Sequence, residues 1–193
     1  MFLLITGGYY MDKEKSLAVK KDLTKKQYLI MNFLLYSFIG WLMETLYAIL
    51  TLGHFEKRGF LFGPICPIYG WSAIILILFL NKYKKNSVKL FFISALVFSI
   101  FEYIVGFVLD AIFAAKWWDY THEFFNLNGR ITLMFTFFWG IISLLFINHI
   151  HPFIESKLKK QLKKSPYYLQ VFLIRLLFTL FLADTFISII KHL

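Results

Sequence analysis

Apolar residues run along most of this chain in long blocks separated by short polar or lysine-rich stretches. The blocks carry neither the strict alternation of a half-buried strand nor the one-sided stripe of a soluble amphipathic helix. A helix needs roughly 20 predominantly apolar residues to cross a bilayer. Four blocks reach that length: 29–50, 90–115, 131–150 and 168–190. A fifth, 67–80, is shorter and is preceded by Gly59, Gly63 and Pro64. That spacing predicts a crossing that draws part of the preceding loop into the membrane as a re-entrant segment, which is tolerated where protein covers the backbone. The expectation is an all-α integral membrane protein, a bundle of about five transmembrane helices with two structured outer loops. It divides into an N-terminal Lys-rich segment (1–28), a four-helix membrane core (29–152), a basic connector (153–167) and an additional C-terminal helix (168–193).

Composition agrees with this reading. Of 193 residues 59% are hydrophobic and 17% charged, against about half and about a quarter in ordinary soluble domains. Disorder, a secreted disulfide scaffold and a nucleic-acid-binding module are therefore set aside, and Cys66, the single cysteine, has no partner for an internal disulfide. The net charge of +10 matters through its placement. Fifteen lysines fall in the segments before the first span, between the second and third, and before the last, whereas the alternate segments hold five basic residues. Cytoplasmic segments retain Lys and Arg, so the N-terminus is expected inside and the C-terminus outside. Residues 1–10 lack the basic start and the length of a signal peptide, and Met11 is an alternative start of translation. The second basic stretch, 154–164, reads as a connector facing solvent or lipid headgroups.

With this topology two loops share the outer face. The first, 54–70, places glycines at 59, 63 and 70 and prolines at 64 and 67, residues that tight turns and close backbone approach require. The second, 117–130, is rich in aromatics and amides, including Asp119, Asn126 and Asn128. Only three of the 21 basic residues are arginine, and two of them, Arg58 and Arg130, lie in these loops. A guanidinium grips carboxylate or phosphate as a planar fork. Each arginine then either pairs with a carboxylate of the bundle, which is the simpler account, or holds a ligand.

Carboxylates lie within the spans. Glu44 and Glu102 sit at mid to outer depth, with Asp110 further out, and ionisable groups at such depth face the bundle interior or a wet cavity. Small or polar stripes at helical spacing support this: Ser37, Gly40, Glu44, Tyr47 and Thr51 on the first span, Ser99, Glu102, Gly106 and Asp110 on the third, Thr132, Thr136, Gly140 and Ser143 on the fourth. For the Ser, Thr and Gly positions a packing seam is the sufficient explanation. Each half of the core also runs as a helix with an interior Glu, an aromatic-glycine loop ending near an Arg, and a returning helix. The loops differ in length, however, and no aligned identity beyond the glutamates supports a duplication. The expected site is an outward-facing polar pocket lined by Glu44, Arg58, Glu102, Asp110 and Arg130, with Cys66, Tyr69, Asp119, Asn126 and Asn128 as further binding residues.

No Walker motif, H-E-x-x-H, C-x-x-C or G-x-S-x-G occurs, so any ATP-driven role needs a separate ATPase subunit, and no cofactor or metal site is expected. His149 and His151, two residues apart, do not share a helical face.

At Tyr36 to Glu44, Arg58 to Gly70, Glu102-Tyr103, Trp117 to Tyr120, Phe125 to Arg130 and His151-Pro152 the chain resembles the CmpB-like family of bacterial polytopic membrane proteins, named as type IV ABC-transporter permeases. The matching motifs run from about residue 30 to 152. The resemblance implies a permease or transporter component; it brings no substrate and no catalytic residues. A membrane enzyme acting on a lipid-linked or envelope precursor, with a Glu as base and the arginines holding phosphate, is the alternative from another class. A non-catalytic binding or regulatory subunit is the third. The partners to expect are the lipid bilayer, an ATPase, and an anionic or lipid-headgroup ligand; nucleic acid is not among them.

Overall fold

The computed structural model describes residues 22–193. The readings of Met1 to Tyr10 and of the first four lysines lie outside the described residues. Helix α1 (Lys25–Leu52) starts at a capping box in which Thr24 and Gln27 satisfy each other's backbone N–H. It ends at Gly53, whose φ of 75° supplies the left-handed cap. Helix α2 (Pro67–Ile75) continues through a π turn (Leu76–Leu80) and a short 3₁₀ turn (Asn81–Tyr83). Helix α3 (Ser87–Phe113) is capped by the Asn86 side chain. A two-residue hairpin, β1 (Asn126–Leu127) with β2 (Ile131–Thr132), precedes α4 (Leu133–Leu145). A second π turn (Phe146–Ile150) joins α4 to α5 (His151–Lys164), and α6 (Tyr167–His192) closes the chain.

Among the described residues four helices are long and apolar enough to cross a membrane: Lys25–Leu52, Ser87–Phe113, the continuous rod Leu133–Lys164, and Tyr167–His192. The fourth span and the basic stretch expected as a connector are thus one rod of 32 residues, about 48 Å long at 1.5 Å per residue. The loop before α2 runs back into the bundle. Cys66 N–H donates to the carbonyl of Ser37, twelve residues into α1, at 3.0 Å. Helix α2 therefore begins level with the middle of α1, and at nine residues it is not among the helices long enough to cross a membrane.

Two hairpins, α1 with α2 and α3 with α4, form the body of the bundle. Glycine lets each close up. An added Cβ at Gly70 would lie 2.7 Å from the Phe33 ring and from the Phe33 carbonyl oxygen, and one at Gly140 would lie 2.5 Å from the Phe91 ring. A core of Tyr36, Ala73, Leu76, Leu80, Leu90, Phe98, Phe146 and Ile147 joins the hairpins toward the lysine-rich end. Tyr36 Oη meets His151 Nδ1 at 2.7 Å there, and the His151 ring stacks on Phe146. His151 thus lies inside a continuing helix rather than at a helix end.

Helix α6 packs against the first hairpin, with Phe178 and Phe181 set against Phe33, Leu34 and Ile74. Its other side is exposed. Exposed Leu, Ile, Val and Phe side chains cover the outside of α1, α3, α4 and α6, as expected of a surface solvated by lipid tails rather than water.

Candidate functional site

The second loop is built by its own polar side chains. Asn128 and Gly129, with φ of 53° and 69°, are the central residues of a tight turn closed by Arg130 N–H donating to the Leu127 carbonyl at 3.0 Å. Two positive φ values are what a type I′ turn needs, and Asn-Gly is the pair that supplies them most cheaply; with Leu127 opposite Ile131, Arg130 is a third residue of the loop. The Asn126 side chain donates to the carbonyls of Thr121 and Glu123 and accepts from Gly129 N–H. Asp119 accepts from the hydroxyl and the N–H of Thr121 and pairs with Lys116. The Thr121 hydroxyl first, then Lys116, holds the Asp119 carboxyl down at about 2.

This loop docks on the outer third of α3, along Tyr103, Gly106, Phe107 and Asp110. Arg130 pairs with Asp110 at 2.7 Å and lies over the Tyr103 and Phe107 rings. Asn128 donates to Tyr103 Oη at 2.9 Å, and Trp118 Nε1 donates to the Arg130 carbonyl at 3.0 Å. Gly106 leaves the room: its added Cβ would stand 3.2 Å from the Trp118 ring.

The first loop is tied down differently. Asp184 on α6 accepts from Phe62 N–H at 3.0 Å and from Gly63 N–H at 2.8 Å. Gly59, at φ 84°, sits over Cys66, whose sulfur would be 2.8 Å from an added Cβ; Cys66 is buried. Phe60 packs among Phe113, Trp117 and His192, which brings the first loop, the second loop and the end of α6 together.

Beneath the loops lie the two glutamates. Tyr69 Oη donates to Glu44 Oε1 at 2.7 Å. Trp139 Nε1 donates to Glu102 Oε2 at 2.6 Å, and Tyr120 Oη donates to Glu102 Oε1 at 3.3 Å. Glu102 is 6% exposed, and Tyr120 is stacked on Phe135 above it. Burial pushes the Tyr120 phenol up, Glu102 adds to this, and Glu44 contributes as well. The loop tyrosine therefore feels both carboxyls.

The two glutamate sites are equivalent. Tyr69 and Trp139 each immediately precede the glycine, Gly70 or Gly140, that seats its helix on its partner. That partner surface is a phenylalanine eleven residues before the glutamate, Phe33 or Phe91, and each π turn begins six residues after the glycine. Four residues before each glutamate, Gly40 receives the Tyr69 ring and Phe98 packs on Trp139. The hairpins thus repeat one arrangement of contacts, with twelve more residues between Glu102 and Trp139 than between Glu44 and Tyr69. The second loop and its turn occupy that extra length.

The structure redistributes the residues singled out from sequence. Arg130 and Asp110 meet, as do Glu44 and Tyr69. Arg58 pairs with Glu56 at the rim, at 3.1 Å. Neither intramembrane glutamate is paired with an arginine; neutral hydroxyl and indole donors take that place. Cys66 lies under Gly59, while Asp119, Asn126 and Asn128 shape the second loop. Sequence reasoning missed Trp139 and Asp184 as partners and Tyr120 as a donor to Glu102. The Asn-Gly pair before a helix cap was the legible sign of the hairpin. Among the described residues no group of three or more His, Cys, Asp or Glu side chains is placed to hold a metal ion.

A family model described as "Putative ABC-transporter type IV" matches residues 31–189, so the match extends past the motif region and through most of α6. No curated protein and no solved structure matches the chain. The chain belongs to this CmpB-like family and is a multi-pass membrane protein.

Proposed function

We propose that this protein is the membrane-spanning subunit of a transporter driven by a separate ATPase, and that the polar centre shared by its two hairpins handles the transported species. The observation that carries the reading is the equivalence of Glu44 and Glu102. Two carboxyls at membrane depth, in corresponding places of two hairpins, each held by a neutral donor with no cation paired to it among the described residues, are costly features that a merely structural bundle does not need. Tandem units in one orientation are a recurring plan of transporters, whose sites lie between the repeats near mid-membrane.

Both outer arginines are engaged by carboxylates of the same chain. This favours a transported group that is cationic or donates hydrogen bonds over an anionic one, and it removes the phosphate grip that an enzyme of lipid-linked precursors would use. The second loop, through Tyr120, closes the outer side of Glu102. The proposed orientation places the lysine-rich ends of α1, α3 and α5 in the cytoplasm, where an ATPase would dock, and both loops outside.

The test is purification of the tagged chain from its native membrane, followed by reconstitution of whatever ATPase accompanies it. ATP-dependent flux into vesicles, lowered at least about tenfold by Glu102→Gln or Glu44→Gln in folded protein, is the expected result, since intramembrane carboxyls mark pathways. An associated ATPase whose vesicles transport equally well with both glutamates neutralised would reject the proposed site. The absence of any associated ATPase would reject the transporter reading itself.

A further inference from the structure

Arg175 lies eight residues into α6, about 12 Å along the helix from Tyr167. The bundle side of α6 is formed by Ile174, Phe178, Phe181, Asp184 and Ser188. Arg175 is on the other side with Tyr168, Phe172 and Thr179, at steps of three and four, and all four are exposed. No side chain or carbonyl among the described residues accepts a hydrogen bond from Arg175. The other two arginines are each held by a carboxylate. A guanidinium facing hydrocarbon is costly, and such a residue extends its charged end to the nearest headgroup layer.

The direction of that extension is set by the helix. Side chains on an α-helix lean toward its N-terminus, so Arg175 leans over Phe172 toward the level of Tyr168. That level is fixed: Gln170 Nε2 donates to the Leu162 carbonyl at 2.7 Å and to the Ser165 carbonyl at 2.8 Å, clamping the first turn of α6 to the end of α5. Lys163 and Lys164 occupy the last turn of α5. The guanidinium and the basic end of α5 thus address one headgroup layer from two sides.

We propose that Arg175 binds the phosphate of an anionic phospholipid in the leaflet on the lysine-rich face, with Tyr168 beside the headgroup and the end of α5 supplying additional positive charge. A carboxylate from a second copy is the weaker fit. Of the carboxylates within the spans, Asp110 and Asp184 are already engaged within the chain, Glu102 is buried, and Glu44 is bonded to Tyr69. A phosphate at the headgroup level satisfies the fork without any second protein.

The experiment uses the purified full-length chain in detergent, titrated with phosphatidylglycerol, phosphatidylcholine or inorganic phosphate while the unfolding midpoint is followed. Lipids retained from equimolar vesicles are counted by native mass spectrometry. Phosphatidylglycerol should raise the midpoint and be retained in preference to phosphatidylcholine, and free phosphate should do neither. Arg175→Gln and Arg175→Leu, both compatible with a lipid-facing position, should weaken the phosphatidylglycerol response on the order of tenfold, the factor lost with one charge-assisted hydrogen bond. Arg175→Lys should fall between. Equal retention of both lipids by the unaltered chain, an unchanged response in both neutral variants, or a midpoint shift reproduced by free phosphate would each overturn the proposal. So would a neutral variant that keeps its lipid response but sheds a co-purifying protein, since the partner would then be a protein carboxylate.

Discussion

Trp139 donates its indole N–H to Glu102 at 2.6 Å from the same place in its hairpin that Tyr69 uses toward Glu44. An indole and a phenol do one job because each carries a single donor at the end of a flat apolar body. Removing either donor strands a carboxyl oxygen away from water, which costs about 1–3 kcal/mol. Trp139→Phe and Tyr69→Phe should each lower the unfolding midpoint in detergent. Tyr120 does not relieve the loss in Trp139→Phe, because it bonds the other carboxyl oxygen, Oε1, and leaves Oε2 without a donor. Equal midpoints for both variants and the unaltered chain would contradict the hydrogen bonding.

The glycine seats should differ in tolerance. An added Cβ at Gly70 meets the Ser37 hydroxyl and the Phe33 carbonyl oxygen, the latter unable to rotate away, whereas at Gly140 the three nearest atoms all belong to the Phe91 ring. Overpacking of this kind costs about 1–3 kcal/mol. Gly70→Ala is expected near the upper end and Gly140→Ala near the lower, and Phe91→Leu should restore much of the Gly140→Ala loss but none of that of Gly70→Ala. Thermal unfolding of the four variants checks the order.

Asp184 is the acceptor that holds the re-entrant loop through two backbone donors. Asp184→Leu leaves Phe62 and Gly63 N–H without those acceptors, and protease cleavage between residues 53 and 66 should quicken while the helices stay intact. An unchanged cleavage rate would show that the loop is held by Phe60 and Cys66 alone.

The Asp119 carboxyl is held down at about 2, chiefly by the Thr121 hydroxyl and then by Lys116. A carboxyl that titrates lower when folded supports its loop at pH values above its ordinary range, near 4, and the support is lost as pH falls from there toward 2. Trp118 emission should therefore change between pH 4 and 2, and Asp119→Ala should abolish that step. A step that persists in the variant would belong to another group.

For orientation, a cysteine at Phe124, which is 88% exposed in the second loop, should react with an impermeant maleimide in intact spheroplasts, and one at Lys85 should react only after lysis. The positive-inside asymmetry motivates this outcome, and reversed labelling would place both loops in the cytoplasm.

The family membership, the apolar spans and the all-helical bundle were legible from the chain, because hydrocarbon imposes a length and a composition on any helix that crosses it. The glycine and proline positions likewise announced that the loop before Gly70 is shaped rather than slack. Partners were another matter. Neither arginine met an intramembrane glutamate: Arg130 went to Asp110 and Arg58 to Glu56, while indole and phenol groups took Glu102 and Glu44. Which donor meets a buried carboxyl depends on the rotation and depth of helices brought together across 25 or 37 residues of chain, and periodicity along one helix carries no such information. The correspondence between the two hairpins was hidden for the same reason. Its matched positions include identical residues, Phe33 with Phe91 and Gly70 with Gly140, but these are set off by insertions of different length and interspersed with unlike pairs, Gly40 with Phe98 and Tyr69 with Trp139, whose equivalent contacts exist only once the helices have packed.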